Sequence, residues 1–228
     1  MNKILFAMAA LFASATMIFA QNNLVATLQH EGIFTHYYGS GALTSAYDAA
    51  TKGDIITLSP GTFTSPGTIN KGITLRGTGI NAAGKSYVSG HVTFCSTDSS
   101  WVTTIEGVRF SDRCIFQNNA NWGNNGQGEI MLIKTFFQKG VAFNNASSYS
   151  DIKGPKVRMY NCHVGGNFFF GALTNPDVFI YNSNISDPYS DSYFTETPSA
   201  FVNCLIYYDV NSNNLGATKN LNFFVLCG

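Results

Sequence analysis

The sequence has few charged residues. Asp, Glu, Lys and Arg make up 11% of the chain, whereas about a quarter is usual for a soluble domain. The 13 basic and 13 acidic residues balance, so the chain lacks the basic excess that binding to nucleic acid or an anionic membrane requires. Neither is expected as a partner. Aromatic residues and glycines are frequent instead, which is typical of stacked strands joined by turns.

Motifs for metal, phosphate or nucleophilic chemistry are also missing. The four histidines show no metal-ligand spacing, and His163 should point away from its neighbour Cys162 if both lie in a strand. No glycine-rich loop leads from a strand into a helix, and no Ser-His-Asp arrangement can be inferred. We therefore expect no cofactor and no metal site.

Long hydrophobic segments are limited to the N-terminus. Lys3 precedes an apolar stretch at residues 4–19, and Ala20 ends a plausible cleavage site. The stretch is shorter than the roughly 20 residues of a membrane-spanning helix, and no second one follows. Residues 1–20 are therefore predicted to be a signal peptide and residues 21–228 a single exported domain. Its location is expected to be periplasmic, cell-surface or extracellular, with no transmembrane span in the mature chain.

The strongest pattern is a repeat of 21 residues near the C-terminus. Asn161, Asn182 and Asn203 each stand in the order apolar, variable, Asn, small, variable, apolar. A period of about 20 to 50 residues is typical of solenoids, in which equivalent residues of successive coils stack. We predict a structural ladder in which each Asn occupies a bend and its buried amide bonds to neighbouring coils. Gly77 and Gly107 take the same place in earlier coils.

Earlier coils fit the same frame, with more residues between successive bends. Residues 133–136 fit it more weakly, with Thr135 at the bend. Additional strands are expected to build a third sheet, at residues 91–94, 114–117, 141–143 and 168–170.

The cysteines can be tested against this repeat. Cys162 and Cys204 occupy equivalent positions two coils apart, a separation of roughly 9–10 Å at the usual strand spacing. A disulfide needs Cα atoms closer than about 7 Å, so both should be free, buried thiols. A bridge between Cys204 and Cys227 stays geometrically open.

The segment before the repeat indicates a capped solenoid. Leu43, Ala46, Tyr47 and Ala50 share one face of a predicted short helix within residues 41–53, and strands are predicted at residues 54–58 and 72–79. With the intervening Gly-Asp-Ile-Ile-Thr-Leu-Ser-Pro-Gly-Thr-Phe of residues 53–63, this segment resembles exported bacterial right-handed parallel β-helix proteins of the pectin-lyase-like superfamily. The resemblance implies an all-β fold of about six coils whose open end is covered by the helix.

The same resemblance raises the question of polysaccharide cleavage. Lyases of that superfamily typically use an Arg or Lys beside acidic calcium ligands, and its hydrolases use clustered Asp residues. Here the candidates are Glu106 and Asp112 as a carboxylate pair, with Arg76, Arg109 and Lys134 as cations. However, outward positions of a solvated sheet are polar in any case, and no Asp-Asp, Asn-Thr-Asp or Gly-His-Gly sequence occurs. A non-catalytic role is favoured.

Outward aromatic residues suggest what that role is. Tyr160 and Tyr181 are equivalent on consecutive coils, and Trp122 and Tyr189 lie in predicted loops. Stacked rings can bind sugar rings, although outward Tyr is also favoured by strand propensity alone. We therefore predict a module that contacts glycans or a surface protein. The alternatives are a polysaccharide lyase or hydrolase, and a structural piece of a surface assembly that self-associates through the apolar C-terminal strand at residues 220–228.

Overall fold

The computed structural model describes residues 24–97, 99–118, 128–143, 156–169, 177–186, 188–189, 200–207 and 225–226. The predicted signal peptide at residues 1–20, Trp122 and Cys227 lie outside the described residues. Among the described helices, none is long and apolar enough to cross a membrane.

Short strands dominate the secondary structure. In chain order they are β1 (Val25–His30), β2 (Ile33–Tyr38), β3 (Ile55–Leu58), β4 (Gly61–Thr64), β5 (Thr68–Ile69), β6 (Thr74–Arg76), β7 (Ser86–Ser89), β8 (Val92–Ser96), β9 (Val102–Glu106), β10 (Val108–Phe110), β11 (Cys114–Asn118), β12 (Glu129–Ile133), β13 (Phe136–Phe137), β14 (Val141–Phe143), β15 (Lys156–Tyr160), β16 (His163–Val164), β17 (Phe168–Phe169), β18 (Val178–Tyr181), β19 (Asn184–Ser186), β20 (Pro188–Tyr189), β21 (Ala200–Val202), β22 (Leu205–Tyr207) and β23 (Val225–Leu226). One helix, α1 (Ala42–Ala49), lies between β2 and β3.

The strands wind into a parallel β-solenoid with three sheets. From β3 to β22, every third strand returns to the same sheet and pairs with its predecessor in parallel, and β23 pairs in parallel with β21. Sheet A contains β1, β2, β3, β6, β9, β12, β15, β18, β21 and β23; sheet B contains β4, β7, β10, β13, β16, β19 and β22; sheet C contains β5, β8, β11, β14, β17 and β20. The predicted all-β parallel solenoid is confirmed.

The predicted coil count is too high. Residues 55–143, of which residues 98 and 119–127 lie outside the described ranges, hold about four coils rather than six. Beyond them, shorter separate segments add strands to the same sheets. The four segments predicted for the third sheet all contribute strands to sheet C.

Inward side chains form a continuous apolar core. In sheet A, Leu75, Ile105, Leu132 and Met159 lie at paired positions of successive coils and are completely buried. Aromatic rings of sheets B and C fill the same core: Phe110 stacks on Phe137 within sheet B, with centroids 5.4 Å apart, and contacts Phe94 of sheet C edge-on, at 5.8 Å. Because a strand in a solenoid alternates inward and outward residues, this core fixes which side chains face solvent.

The N-terminal end is covered by the helix and a hairpin. The predicted helix is confirmed as α1, which buries Leu43, Ala46 and Tyr47 against the first coils. Strands β1 and β2 form an antiparallel hairpin. It turns at Glu31 and Gly32, whose φ angles of 48° and 83° suit a two-residue hairpin turn, and β1 pairs antiparallel with β3.

The bends between sheets A and B carry a left-handed residue in most coils. Gly107, Lys134, Asn161, Asn182 and Asn203 have φ angles of 67°, 46°, 54°, 47° and 51°. The assignment of Thr135 to this position was wrong by one residue. Ile133 pairs with both Glu106 and Tyr160, so Lys134 is equivalent to Gly107 and to Asn161.

The position after the bend holds a small hydrogen-bonding side chain. Thr135, Cys162, Ser183 and Cys204 occupy it in successive coils, and each donates to backbone carbonyls of its own coil or the preceding sheet A strand. The two cysteines are free thiols. Their role is to fill the inside of a bend and bond to its carbonyl groups.

Candidate functional site

The asparagine column, Asn161, Asn182 and Asn203, links three coils. The Asn182 amide nitrogen donates to the side-chain oxygen of Asn161, and that of Asn203 donates to Asn182 at 3.1 Å. The sequence pattern predicted that these amides are buried, but all three asparagines are exposed. The left-handed bend turns each side chain outward, so the amides bond to one another along the surface.

Gly77 and Gly107 continue the bend column for different reasons. Gly107 has a left-handed φ, as the asparagines do. Gly77 does not, but a Cβ atom there would lie 2.5 Å from the carbonyl oxygen of Gly107. Its backbone N–H donates to Glu106 at 2.8 Å. Close approach of the two coils therefore explains the glycine at position 77.

The two candidate carboxylates lie on different parts of the solenoid. Glu106 ends β9 on sheet A and forms an ion pair with Arg76, at 3.5 Å. Asp112 follows β10 at the corner between sheets B and C and pairs with Lys139, at 3.2 Å. The backbone N–H of Arg113, followed by Lys139, lowers the pKa of Asp112. Each carboxylate is thus held by a neighbouring group, and the lowered pKa of Asp112 is the opposite of what a general acid needs.

The candidate cations Lys134 and Arg109 also lie in different parts of the coil. Lys134 occupies the exposed left-handed bend. Arg109 projects from β10 on the outer face of sheet B, where its guanidinium lies 4.2 Å from the ring centroid of Phe136 and 5.5 Å from that of Tyr87. Among the described residues, Arg109 therefore has aromatic rather than carboxylate neighbours.

Tyr160 and Tyr181 sit at paired positions of adjacent strands in sheet A. Tyr181 is 42% exposed. The ring of Tyr160 lies 6.1 Å from that of Phe179, tilted by 50°, so the surface is better described as an aromatic patch of Tyr160, Phe179 and Tyr181. Phe179 was not predicted because it lies in the neighbouring outward column, two residues before Tyr181 along β18, where its paired residue is Arg158. Tyr189 ends β20, and its side chain lies outside the described residues.

An ion pair borders this patch. Arg158, which pairs with Phe179 in the sheet register, makes a bidentate contact with Asp177, at 2.7 and 3.0 Å. Both side chains are largely covered, with 21% and 31% exposure. Bidentate geometry of this kind is directional and orders both partners, so it fixes the polar border of the patch.

A second outward surface was not anticipated from the sequence. Tyr87, Arg109, Phe136 and His163 occupy paired positions of consecutive sheet B strands and form what we call the sheet B column. Phe136 contacts the His163 ring edge-on, with centroids 4.9 Å apart. Burial, followed by the charge of Arg109, lowers the pKa of His163.

The sequence did contain a signal for this column. Arg109, Phe136 and His163 each stand two residues after a left-handed bend residue. Placing the bend at Thr135 instead of Lys134 shifted Phe136 out of this alignment.

Ligand groups for metals are scattered. Within the described ranges, no three His, Cys, Asp or Glu side chains come close enough to hold a metal ion.

Comparisons with protein-family models, curated proteins and solved structures gave no match to this chain. The function is therefore inferred from the outward surfaces of the solenoid.

Proposed function

We propose that the protein is an exported, non-catalytic β-solenoid module that contacts glycans, or a surface partner, through an outward sheet face. The aromatic patch is the observation that carries this proposal. Three rings from two adjacent coils lie on one solvent-facing surface of a rigid sheet. Rings of this kind present apolar faces to sugar rings, and Tyr hydroxyls add hydrogen bonds.

The non-catalytic assignment rests on the carboxylates. Glu106 and Asp112 belong to different sheets and corners, and each has its own cationic partner. Glycoside hydrolysis needs two carboxyl groups about 5–10 Å apart, one of them with a raised pKa. Release of unsaturated uronides or new reducing ends from a polysaccharide would overturn this assignment and favour a lyase or hydrolase.

Glycan-array binding tests the site. The double variant Tyr160→Ala, Tyr181→Ala should weaken binding by about tenfold or more, since each stacked ring contributes roughly 0.5–1.5 kcal/mol beyond its buried area. Tyr38→Ala is the matched control, because Tyr38 is 69% exposed but lies in β2 at the N-terminal end. Binding that survives unchanged in the double variant would remove the site assignment.

The proposal also includes export of the protein and its membership of a superfamily. Residues 1–20 support export, and N-terminal sequencing of the mature protein should begin at Gln21. The capping helix and the three parallel sheets support membership of the pectin-lyase-like superfamily, with its right-handed coil.

A structural role in a surface assembly is the second candidate. Strand β2 is the outer edge of sheet A, and its Ile33 and Phe34 are 68% and 61% exposed. Exposed apolar edge strands are templates for pairing with another chain. The C-terminal strand β23, which lies in the segment predicted for self-association, is at the opposite edge. Sedimentation of the protein and of Phe34→Lys tests this: concentration-dependent association that the variant abolishes would support it.

A further inference from the structure

The sheet B column contains an arginine, Arg109, that forms no ion pair with an acidic side chain in the part of the chain that the structure describes. The guanidinium of Arg109 is placed between the rings of Phe136 and Tyr87. Its Nε atom is buried and has no hydrogen-bond acceptor among the described residues. We propose that Arg109 binds an anionic group, a carboxylate or a sulfate, carried by a glycan that lies along the sheet B column.

The charge distribution favours an anion at this position. The described strands of sheet B contain no Asp or Glu, and Arg109 is their only Lys or Arg. The nearest acidic residues in sequence, Glu106 and Asp112, already pair with Arg76 and Lys139. A lone positive charge on a face without carboxylates attracts anions and is not neutralised within the sheet.

The aromatic neighbours prepare the guanidinium for such a ligand. Stacking on Phe136 covers a face of the planar group and restricts its rotation, while the donors at its edge stay in the plane. Edge donors of this kind match two oxygens of a carboxylate or sulfate at once. Because the stacked Arg is already ordered, less conformational entropy is lost when the ligand binds.

The rest of the column suits the sugar that carries the anion. The column places Tyr87, Arg109, Phe136 and His163 on four consecutive coils, so it extends over roughly 14 Å at the usual strand spacing. All four side chains are partly accessible to solvent. The column thus offers ring faces on both sides of the charge.

This inference rests on the proposed glycan contact but concerns a different sheet from the aromatic patch. Binding should be measured by calorimetry with three probes of equal length: an alginate oligosaccharide, a dextran sulfate oligosaccharide and neutral dextran. The first two separate carboxylate from sulfate recognition. Arg109→Gln and Arg109→Lys are the test variants. Arg76→Gln, which removes one positive charge from the outer face of sheet A, is the matched control.

We expect at least one anionic probe to bind, and Arg109→Gln to weaken it by about 10- to 100-fold, as for loss of a charge-assisted hydrogen bond. Arg109→Lys should lose part of the affinity, because an ammonium group cannot make the planar bidentate contact. Arg76→Gln should stay within about twofold of the wild type. Thermal unfolding of each variant checks that it is folded. If Arg109→Gln is not folded, Arg109→Lys still tests the role of the guanidinium group.

Three outcomes would overturn the proposal. They are no binding of either anionic probe, unchanged binding by Arg109→Gln, or an equal loss in Arg76→Gln, which would indicate diffuse electrostatic attraction. The two surfaces are tested separately, because loss of the aromatic patch in Tyr160→Ala, Tyr181→Ala should leave anion binding intact. Failure of one site is therefore distinguishable from failure of the other.

Discussion

Replacing Asn182 tests the asparagine column most sharply. Asn182 is the middle residue: it donates to Asn161 and accepts from Asn203. Its φ of 47° lies in the left-handed region, which Asn tolerates and which costs most other residues about 1–2 kcal/mol. Both hydrogen bonds are exposed, so each is expected to contribute about 0.5 kcal/mol, the low end of the usual range.

These contributions separate two variants. Asn182→Ala loses both hydrogen bonds and keeps a Cβ atom at positive φ, so its free energy of unfolding should fall by about 2 kcal/mol. Asn182→Gly loses the same bonds without the steric cost, and its loss should be about 1 kcal/mol. The control is Asn184→Ala, an exposed position two residues later on β19, with an expected change within about 0.5 kcal/mol.

Urea unfolding followed by circular dichroism measures these differences. The expected order of stability is wild type and Asn184→Ala, then Asn182→Gly, then Asn182→Ala. Equal stability of Asn182→Ala and Asn184→Ala would refute the reasoning, because neither the hydrogen bonds nor the left-handed bend would then matter. If the Gly and Ala variants lose equal free energy of unfolding, only the contribution of backbone conformation would be refuted, and that of the hydrogen bonds would stand.

Three further predictions concern the backbone, pH and thiols. Gly140 and Gly39 have nearly equal φ angles of 89° and 87°, but a Cβ atom on Gly140 would overlap the carbonyl oxygen of Asn167 whereas Gly39 faces open space. Gly140→Ala should therefore lower the unfolding midpoint much more than Gly39→Ala, and equal shifts would contradict the close coil contact. The hydrogen bond to Asp54, at 2.8 Å, raises the pKa of His30, so this pair stabilises the fold fully below the unfolded value of about 6.5 and less as the pH rises through the raised pKa. The difference in melting temperature between wild type and His30→Gln should accordingly shrink from about pH 6 to pH 9, and a pH-independent difference would exclude this origin. Burial raises the pKa of Cys162 to about 12, so iodoacetamide at pH 8 should modify the half-buried Cys204 first and Cys162 only after unfolding, with mass spectrometry as the readout; early labelling of Cys162 would show that the bend is open.

The repeat made the solenoid predictable, since Asn161, Asn182 and Asn203 mark equivalent bends without knowledge of the coordinates. Alternation around them correctly separated buried residues such as Met159 and Ile180 from outward ones. The hairpin partner β2 was not predicted because it pairs antiparallel, outside the frame of the repeat, and most of its residues are exposed.

The sites were harder to predict than the fold. A one-residue error at Lys134 is small in sequence but exchanges the two faces of a strand, and it concealed the alignment of Phe136 with Arg109. Ring contacts such as Tyr160 with Phe179 depend on side-chain rotamers and diagonal neighbours. Sequence spacing alone does not determine these.

Disulfide trapping tests the stacked register most directly. Cysteines introduced at Tyr160 and Tyr181 occupy paired positions of adjacent strands, where Cα atoms lie about 4.8 Å apart and can be bridged. Cysteines at Tyr160 and Val202 are two strands apart, roughly 9–10 Å, beyond the reach of a disulfide. The solenoid predicts that mild oxidation links the first pair and leaves the second pair reduced. A bridge in the second pair but not in the first would contradict the stacking of coils on which both proposed surfaces depend.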